Sequence, residues 1–167
     1  MTLSEINALS RADFVRQLGW VFESSPWVAD RTWDLRPFDS FEQLRTALST
    51  QVERASISDK LQLLRAHPDL GARGRMSTAS TEEQSKAGLD QLTADEHDTL
   101  LSLNATYREK FGYPFLFAVK GSNKQDILKA LRRRIDSLPE LEFDEAIMQA
   151  CRIAAFRLED IILKQGR

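Results

Sequence analysis

The sequence has few of the residues that form disulfides or bind transition metals. Its 167 residues include a single cysteine, Cys151, and two histidines, His67 and His97. One cysteine cannot form an internal disulfide, which fits a protein of a reducing compartment. A zinc site of the usual histidine- and cysteine-rich kind is hard to assemble from this set, although a site made of carboxylates stays open.

Long apolar runs and an excess of basic charge are also lacking. No apolar run approaches the ~20 residues that a membrane span needs, and residues 1–10 lack the basic-then-apolar pattern of a signal peptide. The formal net charge of −2 argues against a general nucleic-acid binder. The basic run 132–134 is diluted by Asp126 and Asp136 and is predicted to be a solvated helix face. We therefore expect a cytoplasmic protein with no nucleic-acid and no membrane partner.

Helical periodicity, by contrast, runs from end to end. The hydrophobic content of 42% and the charged content of 29% are ordinary for a globular protein, and the length fits one domain over residues 1–167. Amphipathic helices are predicted after Ser10, Ser40, Ser58, Ser80 and Thr93, and near 124–136 and 140–164. The aromatic stretch 111–121, interrupted by Pro114, is predicted to be extended and is the one place for a short strand.

His67 is the sharpest candidate for acid–base chemistry. Pro68 fixes its own φ and restricts the residue before it, so the imidazole is held at a helix end. A fixed imidazole that titrates near neutral pH suits proton transfer. The alternative is structural: a C-terminal histidine stabilised by the helix dipole, with Pro68 as the helix stop.

Ser80, Glu83 and Gln84 form a second candidate cluster at a predicted helix start. Ser80 and Glu83 match the capping-box pattern, as Thr93 and Glu96 do, so a structural role explains both. Gln84 is not needed for the cap, and the helix N-terminus beside it favours a small anion. A carboxylate and an amide there can also bind a urea-like group, accepting from its N–H and donating to its C=O.

Arg157 occupies a position that the helical pattern reserves for apolar residues. The stripe of the last predicted helix recurs at intervals of three and four: Phe143, Ile147, Ala150, Ala154 and Ile161. A guanidinium in the slot after Ala154 must be paired, bind an anion or reach water. The partner of this guanidinium is either a structural carboxylate or a carboxylate or carbonyl of the substrate.

Two other residues are weaker candidates for chemistry. His97 is expected to be exposed, and Cys151 to be a buried, inert thiol.

Five different segments, each occurring once, together span most of the chain in a characteristic order and spacing. They are SPWVADRTW with RPF within 25–38, HPDLG at 67–71, STEEQSKAGLD at 80–90, LNATYREKFGYPFLFAVKG at 103–121 and RIAAFRLED at 152–160. The set resembles the 2-oxo-4-hydroxy-4-carboxy-5-ureidoimidazoline (OHCU) decarboxylase family. The resemblance implies an all-α fold, a single compact helical-bundle domain, commonly a homodimer, with no cofactor. It also implies conversion of OHCU, a urate-derived imidazoline, to (S)-allantoin with release of carbon dioxide.

The resemblance also implies roles for residues of this chain. The family's catalytic histidine falls on His67 and its paired glutamate on Glu83. Substrate-contacting positions fall on Pro68, Ser80, Gln84, Phe115, Leu116, Phe117, Ala118, Val119 and Arg157. Two departures stand out: Tyr113 is found where phenylalanine is usual and could alter the polarity of the pocket, and Ala72-Arg73 where Gly-Lys is frequent.

The implied chemistry is coherent without a cofactor. Decarboxylation leaves an electron pair on the former carboxyl-bearing carbon, and the substrate's own adjacent C=N bond can accept it. The protein then has to hold the carboxylate out of that plane, stabilise the anion and deliver one proton to one face. We assign delivery of the proton to His67, and Glu83 either orients the imidazole or sets its charge. Arg157, Gln84 and backbone N–H groups of 115–119 would fix the ring and the ureido arm.

Two other functions stay open on the residues alone. One is a hydrolase or deaminase with His67, Asp69 and Glu83 around a metal, which two histidines and the lack of a C-x-x-C pair disfavour. The other is a non-enzymatic helical interaction module in which His67 and Arg157 are structural. Activity that survives EDTA excludes the first, and an exposed apolar groove without an enclosed pocket favours the second.

Overall fold

The computed structural model describes residues 1–72 and 76–163, and every regular element in those ranges is helical. The helices are α1 (Leu3–Ala8), α2 (Arg11–Leu18), α3 (Trp27–Trp33), α4 (Phe41–Glu53), α5 (Ile57–Arg65), α6 (Thr78–Lys86), α7 (Ala94–Phe111), α8 (Lys124–Ile135) and α9 (Pro139–Leu163). The all-α class is therefore confirmed. The chain divides into two compact units, Met1–Ala66 with Ala150–Arg167, and His67–Gln149. That both belong to one domain over residues 1–167 stays a prediction.

The first unit consists of α1 to α5 and the second part of α9. Serine or threonine side chains accept a backbone N–H at four helix starts, which satisfies a donor that would otherwise lack a partner. These caps are Thr2, Ser10, Ser40 and Ser56. Helix α3 packs against α2 and α4. The apolar core of this unit includes Phe14, Leu18, Val28, Leu44, Leu48 and Val52, all buried.

The second unit consists of α6 to α8 and the first part of α9. Helix α7 packs against α8 and ends at Gly112, whose φ of 84° is the left-handed conformation that glycine adopts without strain. The segment that follows contains no strand among its described residues. Its aromatic rings pack on α7 instead: the ring centroids of Tyr113 and Phe115 lie 6.0 and 5.3 Å from that of Tyr107.

The sequence pattern misses two helices and misplaces the start of a third. Helices α1 and α3 have six and seven residues, too few for a recurring apolar stripe. Helix α5 begins at Ile57, and Ser56 rather than Ser58 is its cap, since its side chain accepts the N–H of Asp59. Ser56 and Ser58, which are separated by one residue, both fit a capping position, so the local sequence does not decide between them.

The predicted cap of α6 is also wrong. Helix α6 begins at Thr78, and the side chain of Ser77 accepts the N–H of Ser80. Ser80 and Glu83 therefore lie inside the helix and form no capping box. The second predicted box is confirmed, because Thr93 and Glu96 exchange both hydrogen bonds at the start of α7.

The basic run on α8 is only partly a solvated face. Arg132 and Arg133 are exposed as predicted, but Arg134 is fully buried. Its position follows the buried Ile127 and Leu131 at helical spacing, so it lies on the core side of α8. None of the helices in the described part of the chain combines the length and apolar character that crossing a membrane requires.

Candidate active site

His67 is the first residue of the second unit and directly follows the turn that ends α5. It is buried, with 6% of its surface exposed. This burial shields the imidazole from bulk water, and Pro68 restricts the backbone conformation of His67. This is the setting that the acid–base role expected for His67 requires.

Two side chains of α7 hold the loop that follows His67. Arg108 Nη2 donates to Asp69 Oδ1 at 3.1 Å, and Asn104 Nδ2 donates to the Leu70 carbonyl at 2.9 Å. Asn104 is buried, and its Oδ1 has no hydrogen-bond partner within the described ranges. Because a carbonyl can only accept, the Leu70 contact fixes which end of the Asn104 amide faces the loop.

Gln84 joins the same loop to α6. Its Oε1 accepts from the Gly71 N–H at 2.8 Å, and its Nε2 lies 3.4 Å from Met76 Sδ. Gly71 has a φ of +71°, and a Cβ there would lie 2.5 Å from Leu100 Cδ2, so both conformation and space favour glycine. The amide oxygen of Gln84 thus serves the loop, and its N–H groups are what it can offer a substrate carbonyl.

Helix α6 carries three of the predicted site residues, Ser80, Glu83 and Gln84. Ser80 and Gln84 are buried and Glu83 is half-buried. Ser80 and Glu83 are three residues apart and therefore share a face of the helix. Since the helix begins at Thr78, Gln84 is its seventh residue, and the predicted anion site at a helix N-terminus beside Gln84 is wrong.

A cavity of about 340 Å³ lies along α6 within the second unit. Its lining is part polar and part apolar: Gly71, Ala72, Met76, Thr81, Gln84, Ser85, Leu89, Asp90, Leu92 and His97. The expectation that His97 is exposed is wrong, because the residue is half-buried and its Nε2 is enclosed. Gln84 is the one expected substrate contact in this lining, which includes neither His67 nor Glu83.

The segment 115–119, expected to contact the substrate, is held by side chains of α8 and α9. Four of its residues are buried and Phe117 is half-buried. Arg134 Nη1 donates to the Leu116 carbonyl at 2.5 Å. The Ala118 N–H donates to Gln149 Oε1 at 2.9 Å, so that amide N–H already has a protein acceptor.

Arg134 belongs to a buried polar network that the sequence analysis misses. Its Nε and Nη2 donate to Glu142 Oε1 at 2.8 and 2.5 Å, and the side chains of both residues are 1% exposed. The Tyr107 hydroxyl donates to the same oxygen. Burial first, and then this hydrogen bond, raise the pKa of Tyr107 above its usual value, which keeps the phenol protonated. The available signal was the one that identified Arg157: a charged residue in an apolar series.

Arg157 lies in the first unit and is 2% exposed, as its slot on the apolar stripe predicts. Its Nη1 donates to Glu23 Oε2 at 3.0 Å and to the Trp20 carbonyl at 3.3 Å. Glu23 is also buried, so this is a buried ion pair. The structural carboxylate that the sequence left open is therefore present, and a substrate contact for Arg157 rests on the resemblance.

Two further groups have pKa values raised by burial. The pKa of Tyr113 rises to about 12, and its ring lies 6.0 Å from those of Tyr107 and Phe143, inside an aromatic cluster. Cys151 is half-buried rather than buried as expected, but the pKa of its thiol rises to about 11, which agrees with the inert thiol predicted for it. Arg73, part of the other departure from the family pattern, lies outside the described residues.

The metal alternative gains no support from the residues that the structure describes. They contain no group of three or more His, Cys, Asp or Glu side chains arranged to hold a metal ion. Asp69, one of the ligands that this alternative requires, is engaged by Arg108 instead.

Comparison with known proteins relates most of the chain to one family. Residues 7–159 match the family model described as OHCU decarboxylase. The chain is 45% identical over 161 residues to a 2-oxo-4-hydroxy-4-carboxy-5-ureidoimidazoline decarboxylase from Halalkalicoccus jeotgali. The aligned residues cover 96% of this chain and 92% of that relative.

Two crystal structures are similar in fold. One, of (S)-allantoin synthase, superposes with a TM-score of 0.80 at 31% identity over 96% of this chain and 54% of that chain. The other, of OHCU decarboxylase in the presence of (S)-allantoin, has a TM-score of 0.69 at 27% identity over 83% of this chain and 92% of that chain. The family suggested by the five sequence segments is thereby confirmed: the chain belongs to the OHCU decarboxylase family.

Proposed function

We propose that this protein converts OHCU to (S)-allantoin and carbon dioxide in urate breakdown, with His67 delivering the proton to one face of the substrate. The decarboxylase activity follows from membership of the family and from a relative of that name at 45% identity over nearly the full chain. The observation that carries the proton assignment is the burial of His67 beside a loop anchored by Arg108, Asn104 and Gln84.

The reaction balances with groups that the substrate and this chain supply. Cleavage of the carboxyl bond releases carbon dioxide, and the electron pair moves into the adjacent C=N bond of the ring. The ring nitrogen that receives the pair takes up a proton, and the carbon that carries the hydroxyl and its ureido-bearing neighbour then share a double bond. Protonation of the ureido-bearing carbon, together with loss of the hydroxyl proton, gives the carbonyl and the stereocentre of allantoin. Proton delivery by a fixed group on one side makes a single enantiomer.

Each remaining site residue has a role that its contacts allow. Glu83, on the same face of α6 as Ser80, would orient the imidazole of His67. Gln84 would donate an N–H to a substrate carbonyl, because its oxygen already accepts from Gly71. Arg157 would bind a substrate carboxylate or carbonyl through its planar guanidinium, as the family resemblance implies for this position. Pro68 and the segment 115–119 would complete the pocket around the ring and the ureido arm.

We also propose an oligomeric state, a cofactor requirement and a location for the protein. The resemblance supports a homodimer that needs no cofactor. The charge and composition support a cytoplasmic protein without a nucleic-acid or membrane partner. Light scattering of the purified protein tests the dimer: a mass near twice 19.0 kDa is expected, and a monomer at assay concentration would contradict it.

The function is tested by adding purified protein to freshly generated OHCU and following release of carbon dioxide. We expect release well above the rate of spontaneous decay, with EDTA-treated protein as active as untreated protein. His67→Ala provides the control for contaminating activity. A rate equal to spontaneous decay would contradict the proposed function, and loss of activity with EDTA would favour the metal alternative.

A further inference from the structure

We propose that Arg134 and Glu142 are positioning residues, which set the backbone of the segment 115–119 for substrate binding. The inference rests on the proposed function of that segment and adds two residues to the machinery of the reaction. Neither belongs to the set that the family resemblance assigns to catalysis or substrate binding.

The donors of Arg134 are divided between Glu142 and the segment 115–119. Two of its nitrogens bind Glu142 Oε1 at 2.8 and 2.5 Å, while Nη1 binds the Leu116 carbonyl at 2.5 Å. Its guanidinium carbon also lies 4.5 Å from the ring centroid of Phe115, within the range of a cation–π contact. One side chain thus contacts two consecutive residues of the segment, one through its ring and one through its backbone.

A buried ion pair such as Arg134 and Glu142 contributes little to stability on its own. Removing a guanidinium and a carboxylate from water costs more than an ion pair commonly returns, and well-packed apolar residues often replace such pairs without loss of stability. Arg134 is fully buried and Glu142 is 1% exposed, so stability alone is a weak reason for the pair. A guanidinium fork does what an apolar side chain cannot, because it holds a carboxylate and a backbone carbonyl in one fixed geometry.

The segment 115–119 itself needs hydrogen-bond partners from other elements. Buried backbone groups outside helices and strands require other hydrogen-bond partners, and 115–119 is mostly buried and contains neither element. Arg134 serves the Leu116 carbonyl and Gln149 serves the Ala118 N–H. Tyr107 anchors the other end of the network, since its hydroxyl donates to Glu142. The segment therefore takes its position from α7, α8 and α9 together.

The test compares Arg134→Lys with a matched control on the same helix. A lysine keeps the charge but cannot bind Glu142 and Leu116 through one planar fork. Lys124 pairs with Glu96 at 2.7 Å in a partly buried contact and lies about 15 Å from Arg134 along α8. Lys124→Gln therefore removes an ion pair of the same unit without changing the network.

Two readouts separate positioning from a general loss of stability. We expect Arg134→Lys to raise KM by about tenfold with a smaller change in kcat, since the segment binds substrate in ground and transition states alike. Amide hydrogen exchange across 113–120 should also become faster than in the parent protein. Lys124→Gln should change neither, even where its melting temperature falls by a similar amount.

Every outcome bears on the proposal. An unchanged KM in Arg134→Lys, or equal changes in both variants, would overturn it. If Arg134→Lys does not fold, the double variant Arg134→Met with Glu142→Leu replaces the pair by apolar groups; raised KM and faster exchange are again expected, and parent-like values would overturn the proposal. The exchange readout needs no activity, so failure of the proposed function is recognised separately, by a parent protein that does not decarboxylate OHCU.

Discussion

The side-chain oxygen of Gln84 accepts a hydrogen bond from the backbone N–H of Gly71 at 2.8 Å. This contact ties α6, which carries Glu83, to the loop that begins at His67. The placement of the two candidate acid–base residues therefore depends on a side chain that the family resemblance describes as a substrate contact. Both roles are compatible, because the amide oxygen serves the loop and the amide N–H groups can serve the substrate.

The dual role of Gln84 can be separated by two substitutions. Gln84→Glu retains an acceptor for the Gly71 N–H, whereas Gln84→Ala removes it and should cost roughly 0.5–1.5 kcal/mol of stability. We expect KM to rise in both variants, and kcat to fall further in Gln84→Ala because the loop after His67 loses its anchor. Steady-state kinetics of both variants measure this. An equal loss of kcat would show that the Gly71 contact does not matter for turnover.

His67 and Glu83 are expected to act in the chemical step. His67→Ala and Glu83→Gln should each lower kcat by ~10²–10⁴-fold, with melting temperatures close to that of the parent. Ser77→Ala is the structural control, since Ser77 is the cap of α6 and its loss should cost about 0.5–2 kcal/mol with normal activity per folded molecule. If Glu83→Gln behaves like Ser77→Ala, Glu83 is a scaffold residue.

Substitutions in the buried pair of Arg157 and Glu23 should affect stability and activity differently. Glu23→Gln removes the carboxylate charge opposite a buried guanidinium, a change that costs roughly 3–5 kcal/mol in buried pairs. The double variant Glu23→Leu with Arg157→Met should recover much of that stability. If Arg157 contacts the substrate, this double variant stays inactive in spite of its recovered melting temperature. Normal kcat/KM in the double variant would show that the role of Arg157 is purely structural.

Alkaline pH should destabilise the fold through buried groups whose pKa values are raised. Burial raises the pKa of Cys151 to about 11 and that of Tyr113 to about 12, and raises that of Tyr107 as well. Above the ordinary thiol and phenol pKa values, the unfolded chain releases these protons while the folded protein retains them. The unfolded state then binds fewer protons, so stability falls as pH rises.

Tyr113→Phe tests this pH dependence at one position. Between roughly pH 10 and 12 the substitution should reduce the loss of stability by about 1.4 kcal/mol per pH unit, because it removes one of the groups concerned. Urea unfolding across this range provides the measurement. A parent and a variant with parallel pH profiles would show that the Tyr113 phenol does not titrate differently on folding.

Much of the fold could be predicted because helix signals are local. Thr93, Glu96 and Gly112 mark the ends of α7 within a few residues of chain, and the apolar stripe placed Arg157 in the interior. Ser77 was missed because Ser80 offers an equally good local pattern, and only the folded chain decides between them. Short helices such as α1 and α3 lack the length that periodicity needs.

The supports of the candidate site could not be predicted in the same way. Asn104 bonds to Leu70 across 34 positions and Arg134 to Leu116 across 18. Such contacts depend on how helices pack, and no local pattern encodes a partner at that distance. The burial of Asn104 could be predicted, since it follows Leu100 and precedes Tyr107 on the buried face of α7. Its partner, the Leu70 carbonyl, could not be predicted.

The central claim, that His67 directs decarboxylation to one product enantiomer, is tested most directly by the circular dichroism of the allantoin formed from freshly generated OHCU. The parent protein should give (S)-allantoin together with accelerated release of carbon dioxide. His67→Ala, folded to the same melting temperature, should give racemic allantoin, because a turnover slowed ~10²–10⁴-fold lacks the group that directs the proton to one face. Racemic product from the parent protein, or (S)-allantoin formed at the parent rate by His67→Ala, would contradict the account.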